Sequence, residues 1–209
     1  MNLIEKLNWR YAAKRMNGTT VPEEKVALIL EAIRLSPTSL GFHAFKVYVI
    51  ENPQLKEKIF NEACHQPQIK ESSHLLVFTP YRNISTELVK EHMEFFSKTR
   101  AVELESLSYF DSQFSKIIDQ SEEQNFNWTT RQSYIALGFG IVAAALEGVD
   151  ATPIEGFNPV VLDEILNLKD QNLSSVCILA LGYRDEATDY LHKAKKVRRS
   201  KEDMFVLRK

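Results

Sequence analysis

Cysteine is scarce in this chain of 209 residues: Cys64 and Cys177 are the only two, far apart and outside any C-x-x-C pattern. That excludes a disulfide framework and a zinc ribbon, and it reads as free thiols in a reducing compartment. Neither sign of charge is in excess. The formal net charge of -2 excludes a general nucleic-acid or membrane-surface binder, whose affinity rests on a strong basic surplus. Seven glycines and seven prolines form no linker, and there is no internal repeat or low-complexity tract. The strongest apolar run, Tyr134 to Leu146, is too short to span a bilayer and is broken by Gly138 and Gly140. Met1 to Arg10 is charged and lacks the apolar centre of a secretion signal. A cytoplasmic protein is expected. His74, His92 and His192 stand at no metal-ligand spacing from Cys, Asp or Glu, so no metal is expected. There is neither a P-loop nor a G-x-S-x-G elbow.

What is present is a series of helix and strand signals. Leu3, Ile4 and Leu7 suggest a short first helix. Pro22-Glu23-Glu24 opens a second, with Val26, Ile29, Leu30 and Ile33 on one face. Ser36-Pro37 ends it, because proline disfavours α conformation in the residue before it. Phe45–Ile50 and His74–Thr79 read as strands, and Asn52-Pro53 opens a helix between them. From Ser85 to about Gln120 the chain is polar and helix-prone, and Asp119 to Asn127 is its most loop-like piece. A nearly all-apolar helix follows from Trp128 to Glu147, and its composition requires burial against a sheet or a partner subunit. Val160 to Leu168 predicts a short helix and Ser174 to Gly182 a central strand. Strands separated by helices require crossover connections in the sheet.

Three segments carry the chemistry. Pro153-Ile154-Glu155-Gly156-Phe157 turns the chain out of the long helix, with a glycine that lets main chain approach a ligand closely. Arg10 and Lys14 supply one cationic pair near the start, and Lys193, Lys195, Lys196, Arg198, Arg199 and Lys201 a cluster near the end. That cluster follows a buried strand directly, which places it at a sheet end. Alone it reads as a solvated surface; converged with Arg10 and Lys14, it could hold a phosphate dianion.

Arg10-x-x-x-Lys14, Ser36-Pro37-Thr38-Ser39, Gln66-Pro67-Gln68 before a strand, Pro153 to Phe157, and Lys196-x-Arg198 occur in this order over nearly the whole chain. In that arrangement the sequence resembles the FMN-dependent nitroreductase family, in particular its oxygen-insensitive NAD(P)H nitroreductase and dihydropteridine reductase-like branch. The resemblance implies an α+β fold, a three-layer α/β/α sandwich with a central mixed sheet. It implies one domain over 1–209 in an intertwined homodimer, with a tail of about 193–209 reaching onto the partner and Met204 to Leu207 adding an edge strand there. It implies FMN as cofactor and NADH or NADPH as reductant. Arg10, Lys196 and Arg198 would bind the FMN phosphate, with Tyr11 and Ala12 beside them. Lys14 would lie at the flavin N1–O2 edge, where negative charge accumulates when hydride arrives at N5. Glu155 and Gly156, preceded by Pro153 and Ile154, would present backbone N–H groups to N5 and O4. Pro37, Thr38 and Ser39 would come from the other subunit and cover the ring system. Gln68 would be a neutral donor to the pyrimidine side, with His65 nearby. Leu40, His43 and Phe114, or else Phe110, would flank the substrate.

Some positions depart from the family's pattern. Ala12 stands where serine is frequent and cannot donate to phosphate. Gly41-Phe42-His43-Ala44-Phe45 replaces an Asn-x-Gln-Pro-aromatic run, and His65 replaces a frequent asparagine. The activity implied is ping-pong hydride transfer from NAD(P)H to FMN N5 and then to a nitroaromatic, quinone or pterin acceptor. Two alternatives stay open: a flavoenzyme of the same fold catalysing dehalogenation or a biosynthetic oxidation, and a non-catalytic flavin-binding or partner-binding protein. Arg198→Ala is expected to weaken FMN binding on the order of 10- to 100-fold, the loss of one charge-assisted hydrogen bond, while leaving the chain folded. Flavin titration checks it, and unchanged affinity would overturn the phosphate assignment.

Overall fold

A computed structural model describes residues 2–208. Its centre is a four-stranded sheet built from β1 (Phe45–Ile50), β2 (His74–Pro80), β3 (Asp150–Ile154) and β4 (Cys177–Gly182), in the order β1-β2-β4-β3. Every neighbouring pair is antiparallel, with Val47 opposite Phe78, Leu76 opposite Leu179 and Thr152 opposite Ala180. The expected crossover is the passage from β2 to β3, which skips over β4. A mixed sheet is not present among these four strands. The α+β class stands, and any parallel neighbour has to come from outside them.

All residues of β2 and β4 are buried, which is why both read as unbroken apolar runs rather than as alternating ones. One face of the sheet is covered by α2 (Glu23–Arg34) and α7 (Glu122–Leu146), around Ile29, Ile33, Phe78, Ala136, Ala144 and Leu179. The opposite face is covered by α3 (Pro53–Glu62) and α8 (Pro159–Ile165), around Ile59, Ile69, Leu75, Leu162 and Ile178. The helices α5 (Thr86–Arg100) and α6 (Ser108–Ile118) enclose a third cluster containing Phe42, Met93, Phe114 and Trp128. The remaining helices are α1 (Leu3–Trp9), the single turn α4 (Gln68–Glu71) and, near the end, α9 (Lys201–Met204).

Three expectations change. The stretch expected to be a loop ahead of Trp128 is mostly helix: α7 begins at Glu122, where Ser121 and Gln124 form a capping box and Glu122 and Glu123 face the positive end of the helix. The chain does not turn directly out of the long helix at Pro153. It first forms β3, a strand that escapes a propensity reading because proline sits inside it, tolerated at a sheet edge. Met204 to Leu207 forms no strand in the single chain; Met204 ends α9, and Phe205, Val206 and Leu207 are exposed.

Small residues set the spacing between α7 and α2. A Cβ on Gly140 would lie 3.0 Å from the Ile33 side chain, so glycine there permits close helix contact, whereas Gly138 faces open space. Phe78 is fully buried at the middle of β2. Phe78→Ala is expected to reduce stability by about 3–5 kcal/mol, measured by denaturant unfolding.

Candidate functional site

The segment after α1 runs beside the segment after β4. Asn17 N–H donates to the Tyr183 carbonyl at 2.9 Å and Asp185 N–H to that of Arg15 at 3.0 Å. This pairing carries Arg10 to Lys14 to the sheet end where the basic cluster begins, and a cleft of about 530 Å³ lies between them. Arg10, Tyr11, Ala12, Lys14, Pro153, Lys196 and Arg198 all line it. No carboxylate does, among the described residues.

The cations press on one another. Burial, followed by the nearby Arg198, pushes the Arg10 guanidinium below its ordinary pKa. Burial, then Arg10 and Arg198, does the same to the Lys196 ammonium. Lys196 Nζ is steadied by the carbonyls of Leu7 (2.6 Å) and Arg10. Among the described residues, Arg10 Nε is buried with no hydrogen-bond partner, and the Arg198 guanidinium donates only to the neighbouring Val197 carbonyl, at 2.6 Å. Donors without acceptors in a carboxylate-free cleft fit an anionic group.

At the end of β3, Glu155 and Gly156 form a tight turn in which Phe157 N–H donates to the Glu155 carbonyl at 2.9 Å. The turn is clamped from the segment after α3: Asn158 N–H donates to the Ala63 carbonyl at 2.8 Å, and Gln66 Nε2 to that of Gly156 at 3.4 Å. Neither the Glu155 nor the Gly156 N–H finds an acceptor among the described residues. Tyr134, from α7, donates its hydroxyl to Glu155 Oε1 at 2.6 Å. Burial first, and this bond second, push the tyrosine pKa up, so the phenol stays protonated.

Other expected site residues lie elsewhere. Pro37, Thr38 and Ser39 do not line the cleft of their own chain; Ser39 N–H donates to Gln132 Oε1 on α7 at 2.8 Å, and Thr38 Oγ1 accepts from His43 N–H at 3.1 Å. Leu40, Gly41 and His43 have positive φ (56°, 66° and 47°), a sharply bent loop. The His43 ring lies between the carbonyls of Gly41 and Ser36, at 3.0 and 3.2 Å. His65 bonds the Phe60 carbonyl at 2.8 Å through Nδ1.

Two of the expected site residues are buried in the single chain. Gln68 Nε2 donates one N–H to the Ala13 carbonyl at 2.9 Å, and its Oε1, an acceptor, has no partner among the described residues. Phe114 is fully buried among Phe42, His92 and Trp128, so it cannot face a substrate in this chain, whereas Phe110 is half-buried beside Phe96 and the exposed Tyr109. Both cysteines are buried, which pushes the Cys177 thiol up to about 11 and raises that of Cys64 as well, favouring the neutral thiols.

The sequence reading missed the acids that build the site. Asp150 holds Arg184 through a buried pair, Nη2 to Oδ1 at 2.6 Å, and Arg184 in turn lies 4.4 Å from the ring centres of Trp9 and of Tyr11. Asp189 accepts from Tyr11 and Lys14. The one available signal was ionisable residues placed directly against buried strands. No helix among the described residues is long and apolar enough to cross a membrane, and no group of three or more His, Cys, Asp or Glu among them could hold a metal ion. Asp150→Ala is expected to cost about 3–5 kcal/mol by leaving Arg184 without its partner, read from denaturant unfolding.

Comparison with known proteins agrees with this geometry. The profile of the nitroreductase family matches residues 7–183. A protein of Staphylococcus haemolyticus named as an NAD(P)H nitroreductase is 32% identical over 203 residues, covering 88% of this chain and 89% of its own. The major NAD(P)H-flavin oxidoreductase of Aliivibrio fischeri is 27% identical over 214 residues, covering 98% of each. Among solved structures, a nitroreductase from Exiguobacterium sibiricum in complex with FMN superposes with a TM-score of 0.81 at 15% identity, over 100% of this chain and 98% of its own. With sequence and architecture in agreement along the chain, the protein belongs to the nitroreductase family.

Proposed function

We propose that the protein is an FMN-dependent NAD(P)H oxidoreductase. The observation that carries this reading is the carboxylate-free cationic cleft, with the buried, unpartnered Arg10 Nε inside it, beside a turn whose two N–H groups are unpaired. The names of the Staphylococcus haemolyticus and Aliivibrio fischeri relatives support the nicotinamide reductant, and the FMN complex of the Exiguobacterium sibiricum neighbour supports the flavin. Arg10, Lys196 and Arg198 would hold the phosphate of FMN, and Lys14 would face the ring edge that becomes negative on reduction. The Glu155 and Gly156 N–H groups would meet the ring on its other side. Bound FMN would take hydride from NADH or NADPH and pass it to a nitroaromatic, quinone or pterin-type acceptor. The side chains bind, orient and supply charge; none has to form a covalent bond to substrate.

A second copy of the chain completes the site in this reading. Between α2 and α7 an apolar groove of about 590 Å³ includes Ala32, Ile135, Phe139, Val142 and Leu146. Leu28 and Leu35 are exposed as well, and so are Val206 and Leu207 in the tail. Exposed apolar surface of this extent marks an interface. Pairing through α2 and α7 would bring Pro37, Thr38 and Ser39, just past α2, toward the partner's cleft. The tail would cross to the partner's sheet.

The test is an absorption spectrum of the protein reconstituted with FMN, without oxygen, before and after NADH or NADPH. A bound-flavin spectrum that bleaches, then recovers on adding a quinone or nitroaromatic, is expected. Bound flavin that stays oxidised would replace this reading with a nicotinamide-independent flavoenzyme or a flavin-binding protein, and absence of flavin binding would overturn the site.

A further inference from the structure

Tyr11 and Lys14 belong to one wall of the cleft, and Leu191, Lys196 and Arg198 to the other. Two side chains join them: Lys196, through the carbonyls of Leu7 and Arg10, and Asp189, the one that lies outside the cleft. Asp189 is 5% exposed. Its Oδ2 accepts from the Tyr11 hydroxyl at 3.0 Å and from Lys14 N–H at 2.8 Å, and its Oδ1 accepts from Leu191 N–H at 2.8 Å. It forms no ion pair within 4.0 Å among the described residues and does not line the cleft.

Consecutive turns carry the chain onward from it. Asp189 N–H donates to the Asp185 carbonyl at 2.9 Å, His192 N–H to the Asp189 carbonyl at 3.0 Å, and Ala194 N–H to the Leu191 carbonyl at 2.9 Å. Lys196 and Arg198 follow directly.

From this geometry we infer that Asp189 is a positioning residue of the anion cleft, holding the Arg10–Lys14 wall against the Leu191–Arg198 wall so that Arg10, Lys196 and Arg198 converge on one phosphate. The inference rests on the FMN reading of the cleft. A carboxylate inside the cleft would neutralise the cations and compete with a phosphate. One placed behind it, spent on neutral donors, fixes the walls and leaves their positive charge directed inward. Burial raises the Asp189 carboxyl pKa, and the N–H groups of Leu191 and Lys14 and the Tyr11 hydroxyl outweigh it, so the group lies below the usual carboxylate range. The clasp is therefore intact above that range and is lost only as pH falls through the lowered value.

Comparing FMN with riboflavin, which lacks the phosphate, separates positioning from general stability. Dissociation constants for both would be measured by flavin fluorescence on the full-length apoprotein, for wild type, Asp189→Ala and Asp189→Asn. Wild type is expected to prefer FMN. Asp189→Ala is expected to lose FMN affinity on the order of 10- to 100-fold, the loss typical when a group that orients ligand-holding residues is removed, and riboflavin, which shares only the Lys14 ring-edge contact, is expected to lose less. Asp189→Asn keeps one acceptor oxygen but turns an NH2 group toward N–H donors, and it should lose part of the preference. It also gives the ratio if the alanine variant fails to fold. Equal loss of both ligands, or no loss of FMN affinity, would overturn the positioning role while leaving the FMN reading intact. A wild-type protein that binds riboflavin as tightly as FMN would overturn the phosphate reading itself, and this inference with it.

Discussion

Bringing Arg10, Lys196 and Arg198 to one place sets like charges against one another, and much of the surrounding structure exists to hold them there. Burial adds to the cost by removing water from the charged groups. The fold meets this without putting a carboxylate among the three. Lys196 is steadied by backbone carbonyls, while the acids that shape the site stand behind it, Asp150 against Arg184 and Asp189 against Tyr11 and Lys14. With FMN phosphate bound as proposed, such a cleft would be lower in free energy filled than empty, which would link ligand binding to the stability of this end of the molecule.

In the proposed site two different kinds of group would meet the ligand at the sheet end. On one side stand full charges on long side chains; on the other stand peptide N–H groups at the end of β3, held by a tight turn and by Gln66 and Ala63. Charges attract an anion over several ångströms, whereas peptide dipoles act only at contact and demand orientation. Tyr134 links the second side to α7, and Gln132, two residues earlier on that helix, holds Ser39. One helix thus supports two segments assigned to cofactor contact while its apolar outer face stays available to a second copy.

Strands and helices with a clear apolar period were legible in the sequence. Phe45–Ile50 and the helix from Glu23 followed directly from pattern and punctuation. The β3 strand was not, because a five-residue element containing proline carries no strand propensity and is fixed by pairing with β4. Ser121-Glu122-Glu123-Gln124 looked polar enough for a loop, although its capping box is a helix start. Arg10, Lys14, Lys196 and Arg198, which line one cleft, were legible as two short cationic motifs at opposite ends of the chain. Asp150, Arg184 and Asp189 were not, since an acid in a polar stretch reads as surface until tertiary contacts show it to be buried. The burial of Gln68 and Phe114 was hidden for a related reason: residue type suggests a donor or a ring, while tertiary packing decides how far either is exposed.

Pro153 is the fourth of the five residues of β3, at one margin of the sheet, and it lines the cationic cleft. A peptide strand docking along that margin would find no amide proton there to bond, and backbone-to-backbone addition is discouraged at that position. A flat heteroaromatic ring needs no such ladder and can lie against the pyrrolidine face. One imino acid therefore keeps the margin closed to stray polypeptide and open to a small planar molecule.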